Sequence, residues 1–291
     1  EMQLGGLRVN PITNIASATN YINNLKVRRF QEQNLVQVKG LPENPKIANF
    51  SWSPDDQKLA FTHTTSKTVE LWVLDVASAT ALKVFDKALN ANVGRPFSWF
   101  KDSQNLLVKV IPDNRPGLID PKKSLPTGPT VSVSDGSKAQ NRTYQDLLKN
   151  KTDEANFETL IAAELYQVNL NGQSKIFRGK DFYAGESFSP DGSFLIVSTI
   201  QKPFSYLVPL NRFPMKTVVY DLKGNEIKVV NEVPLTEVLP KGFMAVRKGK
   251  RNMSWRSDKP ASLYYAEALD GGDPARGAAP PVGRDRDRGG D

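Results

Sequence analysis

Cysteine is missing from this 291-residue chain, and histidine occurs once, at His63. The first absence excludes disulfides, thiolate nucleophiles and the common zinc ligand sets. The second leaves a Ser-His-Asp triad a single candidate base, and no G-x-S-x-G nucleophile elbow is present to receive it. No window holds the ~18 consecutive apolar residues that a membrane-spanning helix needs. The opening EMQLGGLRVNP lacks the basic and apolar regions of a signal peptide. Because the chain opens on Glu1 rather than Met, an upstream segment is expected to have been removed or left out, and the compartment is not legible from this end. A soluble protein is expected, with a periplasmic or secreted location favoured over the cytoplasm. Acidic residues are missing from KGFMAVRKGKRNMSWR, residues 241–256, the densest basic run in a chain of net charge +8. A solvated loop and strand edge account for such a run, and neither a stacking-aromatic motif nor a zinc-finger spacing accompanies it. No nucleic-acid partner is expected.

What is present is ordinary globular material, 39% hydrophobic and 24% charged, carrying a repeat. FSWSPDDQKLAF, residues 50–61, reads as strand, tight turn and strand, with proline fixing φ and Asp tolerating the turn. Related runs are FSWFKDSQNLLVKV from Phe97, SFSPDGSFLIVST from Ser187 and MSWRSDKPASLYYAEA from Met253. Trp52 and Trp99 are spaced by the ~40–50 residue period of a four-stranded propeller blade, and the later copies lie farther apart. Each hairpin is followed by a second strand pair: VELWVLDVASATALKVF from Val69, AELYQVNLNGQSKIF from Ala163 and TVVYDLKGNEIKVV from Thr217. Asn171-Gly172 is a strong two-residue hairpin signal.

The expected fold is therefore all-β, a partial β-propeller of about three to four four-stranded antiparallel blades. Three blades are complete, at about 46–88, 95–180 and 184–232, and a fourth opens at Met253. NYINNLKVRRFQEQNLVQVKG from Asn20 reads as the outer pair of a blade whose inner pair is missing. The propeller is expected over residues 1–271, with an insertion at 111–163: a Pro/Gly/Lys-rich loop to about Arg142, then one or two helices over 143–163, where Tyr144, Leu147, Leu148, Phe157, Leu160 and Ile161 keep helical spacing. Residues 272–291, rich in Arg, Asp, Gly and Pro, read as a disordered or non-native tail. With two open ends, such a fan is expected to be poorly soluble or self-associating.

Several stretches together carry a family resemblance. GLRVNPITN, FSWSPDDQKLAFTH, TYQDLLKNKTDE, STIQKPFSYLVPLNRFPMKTVVYD and VRKGKRNMSWRSDKPASLYYAEALDGGDP occur in order from about Gly5 to Pro274. This set resembles the glutamyl endopeptidase branch of the prolyl oligopeptidase serine peptidases. The resemblance implies an N-terminal propeller that restricts peptide access to a catalytic α/β-hydrolase domain, itself expected to be absent from this chain. Partners are then peptide substrates, met through the full-length enzyme. The chain alone is expected to be inactive, with no catalytic residue, no metal and no cofactor, since His63 falls in a blade strand. Asp55-Asp56 and Asp191-Gly192 fall in turns, and Asp153-Glu154 opens a helix. The family pattern carries arginines after its VNP-type stretch, whereas Ile15-Ala16-Ser17-Ala18-Thr19 has none. Arg28, Arg29, Arg212 and Arg247 remain as candidates to pair with a substrate carboxylate. The alternative function is a free-standing propeller acting as a protein-interaction module.

Overall fold

The computed structural model describes residues 1–28, 30–120, 143–240 and 244–276. Nineteen strands and one α-helix organise this part of the chain. The N-terminus forms a three-stranded sheet of β1 (Met2–Leu4), β2 (Leu7–Asn10) and β3 (Ile15–Ala16), which the sequence patterns do not announce. A two-stranded hairpin follows, β4 (Lys26–Val27) with β5 (Val36–Gln37).

Three four-stranded antiparallel sheets come next, each in simple chain order. The first blade is β6 (Ile47–Trp52), β7 (Lys58–Thr64), β8 (Val69–Asp75) and β9 (Thr80–Phe85). The second is β10 (Phe97–Trp99), β11 (Asn105–Val110), β12 (Ala163–Asn169) and β13 (Ser174–Asp181), with helix α1 (Lys151–Ile161) inserted between β11 and β12. The third is β14 (Tyr183–Phe188), β15 (Phe194–Ile200), β16 (Met215–Asp221) and β17 (Glu226–Val233). A last hairpin, β18 (Arg251–Trp255) with β19 (Leu263–Ala266), opens a fourth. The chain is a partial β-propeller, as its turn and strand patterns imply.

The second strand of each blade is buried on both faces, so it reads as an apolar run whose alternate side chains serve different seams. In β11, Leu106, Val108 and Val110 join Ala60, Leu71 and Val73 of the first blade in one cluster. Leu107, between them, turns the other way and joins Leu195, Val197 and Val218 of the third. A one-residue slip would exchange the two sets, so the register is strongly specified.

The SPD-type turns close by one recurring device. Ser53 Oγ donates to Asp55 Oδ1 at 2.6 Å and accepts from the Lys58 amide at 2.9 Å, while the Gln57 amide donates to the same carboxylate. In the third blade Ser189 and Asp191 repeat these contacts, with the Phe194 and Ser193 amides as donors. Gly192 there has φ +76°, and a Cβ on it would meet Lys101 Cβ at 2.5 Å, so neither the backbone nor the neighbour leaves room for a side chain.

Helical spacing from residue 143 suggests an earlier start than Lys151. The cap explains the boundary: Asn150 Oδ1 accepts from the Asp153 amide at 2.9 Å, and Asp153 Oδ2 accepts from the Lys149 amide at 3.0 Å. Residues 111–120 contain no helix or strand. The remainder of the expected loop, 121–142, and the tail from 277 lie outside the described residues.

Candidate functional site

In an antiparallel meander, the turns between first and second strands and between third and fourth strands lie at one edge. Second-to-third connections and links to the next blade lie at the other. Among the described residues, the long connections of the three blades use this second edge: 86–96, 111–120 with 143–162, 201–214, and 234–240 with 244–250. The N-terminal sheet reaches the same edge, where the Gly6 amide donates to the Asp146 carbonyl, the Leu210 amide donates to the Gly5 carbonyl, and Arg8 pairs with Asp146 at 2.6 Å. Together they build a cap with its own core, in which Leu4 and Val9 meet Phe157, Leu160, Phe204 and Phe213. Phe157 lies edge-on to Phe204 and Phe213 at centroid distances of 5.2 and 5.7 Å.

Beneath the cap lies a buried polar cluster. The Nδ2 groups of Asn14, Asn90 and Asn92 all donate to the Leu160 carbonyl, at 3.1, 3.0 and 2.7 Å, and Asn90 also reaches the Ala162 carbonyl. A helix leaves its last carbonyls without internal partners; here three side-chain amides from two distant segments supply them. The insertion helix is thereby fixed to the link between the first two blades.

Lys109, on β11 in the same layer, is buried, and its ammonium donates to the Val93 carbonyl. Burial lowers its pKa, partly opposed by Glu186. Glu186 on β14 is half-buried overall, with Oε2 shielded from solvent and unpartnered. Burial raises its pKa, opposed by Lys109 and then by Arg95. Gly94, at φ +64°, packs where a side chain would not fit: a Cβ there would lie 2.6 Å from the Ala184 carbonyl oxygen and 3.3 Å from Lys109 Nζ. The cluster thus links blades two and three by charge. Sequence patterns do not single out these residues, although a lysine inside the apolar run NLLVKV is an available signal.

Of the four arginines proposed from the sequence, the three described ones are dispersed. Arg28 is exposed beside the β4–β5 hairpin, and Arg29 lies outside the described residues. Arg212 sits in the cap, its guanidinium 5.5 Å from the centre of the Tyr144 ring. Arg247 precedes β18 and donates to the carbonyls of Lys248 and Lys250. Its pKa is lowered by burial and by the nearby Arg251, whose Nε is buried and unpartnered. No hydrogen bond or ring contact joins these arginines among the described residues. Arg212 and Arg247 do share the long-connection edge.

His63 serves its blade: its Nδ1 accepts from the Lys46 amide at 3.2 Å, its ring lies edge-on to Trp72, and burial lowers its pKa. Among the described residues no group of three His, Asp or Glu side chains could hold a metal ion. No described helix is long and apolar enough to cross a membrane.

No family model matches the chain. Two curated relatives, the probable chloroplastic glutamyl endopeptidases of Oryza sativa subsp. japonica and Arabidopsis thaliana, are each 34% identical over 287 residues, which is 94% of this chain. The chain spans 30% of the rice protein and 29% of the Arabidopsis one. Among solved structures, the tricorn protease aligns over 91% of this chain and 20% of its own, with 13% identity and a TM-score of 0.46. TolB from Acinetobacter baumannii aligns over 90% of this chain and 48% of its own, with 14% identity and a TM-score of 0.40. Pyrococcus horikoshii acylaminoacyl peptidase aligns over 68% of this chain and 26% of its own, with 16% identity and a TM-score of 0.36. Over nearly its whole length, then, this chain is a homologue of the glutamyl endopeptidases, corresponding to about three tenths of their length.

Proposed function

We propose that this chain is the access-controlling propeller of a glutamyl-endopeptidase-like serine peptidase, acting on peptides that a separate α/β-hydrolase domain cleaves. The observation that carries the reading is the colinear match over 94% of the chain to glutamyl endopeptidases, in a segment that folds as blades. The cap supports it: a dedicated layer over one edge of the blades can admit an extended peptide and exclude a folded protein. Arg212 and Arg247, on that edge, are better placed than Arg28 to meet an acidic side chain of the peptide, and the desolvation of Arg247 strengthens a charge-assisted pair there. Arg28, beside the β4–β5 hairpin, would act only if that hairpin borders the peptide path.

The full-length protein tests this reading. It should cleave a short peptide with an internal glutamate and spare a stably folded protein containing the same sequence. Phe157→Ala, which loosens the cap, should raise cleavage of the folded protein more than that of the peptide. Equal cleavage of both substrates by the unaltered enzyme would refute the access role. The chain alone should hydrolyse neither.

A further inference from the structure

A cavity of about 220 Å³ lies between the segment that follows β11, helix α1 and the end of β13. All of its walls belong to the second blade and its insertion, in the middle of the chain. Pro112, Pro116 and Ala162 give it apolar sides, while Arg115, Glu158, Thr159 and Lys180 bring polar groups to it. The Ala162 carbonyl is held by Asn90, so this wall is anchored to the polar layer beneath the cap.

Arg115 is the group in need of a partner. It is half-buried, yet among the described residues its guanidinium makes no hydrogen bond, ion pair or ring contact. Burial alone lowers its pKa, and no neighbouring charge opposes that. A guanidinium carries five N–H donors, and withdrawing it from water without an acceptor is costly. The end of helix α1 does not supply the acceptor, because the Leu160 and Ala162 carbonyls are already taken by the side-chain amides of Asn14, Asn90 and Asn92. Nor does Glu158, whose carboxylate pairs with Lys202 at 2.7 Å. Lys180 adds a second cation without an ion pair among the described residues, and the Thr159 hydroxyl there has no hydrogen-bond partner either.

We propose that this cavity binds a small organic monocarboxylate, its carboxylate in the Arg115 fork with Lys180 and the Thr159 hydroxyl as further donors, and its carbon chain against Pro112 and Pro116. The size sets the class of ligand. At about 220 Å³ the cavity falls below the ~300–1,000 Å³ of drug-sized sites, so it takes an acid of a few carbons and not a peptide or a nucleotide. Phosphate is the poorer fit: the Glu158 carboxylate in the same lining repels a second negative charge, and phosphate has no apolar part to cover the prolines. The site is separate from the access role proposed above, and its occupancy is read by binding alone.

Titration calorimetry and thermal melting of the full chain provide the test, with butyrate as the probe and butyramide and inorganic phosphate as comparisons at matched ionic strength. Butyrate should bind with a dissociation constant of roughly millimolar order and raise the melting midpoint by mass action, while butyramide and phosphate should not. Arg115→Met should abolish the response and leave the unliganded chain at least as stable as wild type, since the unpaired charge is gone. Arg115→Lys keeps the charge but loses the fork and should weaken binding about threefold or more, and Lys180→Met should weaken it less. Arg256→Gln, in the turn of the β18–β19 hairpin, should leave binding unchanged. No binding of butyrate at about fifty times the millimolar scale, an equal response to butyramide or phosphate, an undiminished response in Arg115→Met, or a lowered melting midpoint of unliganded Arg115→Met would each overturn the proposal.

Discussion

The two edges of the blades solve opposite electrostatic problems. At the tight-turn edge, Asp55, Asp75, Asp191 and Asp221 accept hydrogen bonds from nearby amide or side-chain donors, which hold their carboxyls below the usual range. At the long-connection edge, Glu186 is pushed the other way by burial, and Lys109 is pushed toward its neutral form. The first edge repeats local chemistry, blade after blade. The second is assembled once, from pieces far apart in the chain, and is where a peptide-selecting role would reside.

Disrupting the cap should have the largest effect. Phe157 is fully buried against Phe204 and Phe213, so Phe157→Ala should cost about 3–5 kcal/mol in denaturant unfolding. Lys109→Ala strips the Val93 carbonyl of its buried ammonium donor and removes the charge that opposes the upward shift of Glu186, and should cost about 1–3 kcal/mol, whereas Lys109→Met with Glu186→Leu should recover most of it. A double-mutant cycle at neutral pH checks this coupling. Between the edges, Trp99→Phe removes the bond that the Trp99 indole N–H donates to the Ser51 carbonyl of the first blade, and should cost about 1 kcal/mol by thermal or chemical melting.

The smallest effects carry opposite pH signs. Asp191 has a lowered folded pKa, so its contribution is present above the ordinary carboxylate range and is lost as pH falls through the folded value. Asp191→Asn should therefore destabilise at neutral pH and lose its effect in acid. Glu186 has a raised folded pKa, so its stabilising contribution is complete below the ordinary carboxylate range and fades as pH rises. Glu186→Gln should remove that slope. Melting midpoints of each variant minus wild type, scanned through acid to neutral pH, should run in opposite directions; parallel difference curves would break the comparison.

How much of this was legible follows the same division. Blade limits can be read because Ser53-Pro54-Asp55 and Ser189-Pro190-Asp191 specify their turns locally, and because strands such as β11 carry their burial in their own composition. The cap cannot be read this way: Leu4, Phe157 and Phe213 meet only after three remote segments converge. Helical spacing around Leu147 and Leu148 extends the expected helix too far toward the N-terminus, since Leu148 is buried in the cap from a non-helical segment. The candidate arginines were chosen by residue type alone, and type does not fix which edge a residue reaches.

The third first strand has Phe188 where its neighbours have tryptophan, and a phenyl ring donates no hydrogen bond. Phe188 instead lies 4.6 Å from Phe100, centroid to centroid. The seam between blades two and three therefore lacks the indole-to-carbonyl bond that Trp99 makes to Ser51 and Trp255 makes to Ser187 on either side, and it is the seam spanned by the attraction of Lys109 for Glu186 and by helix α1 packing on Phe204 and Phe213. In mechanical terms the cap is a splint: its loosening and the parting of these two blades are one event, so hydrogen exchange along β10 and β14 should report on the cap tens of residues away in sequence.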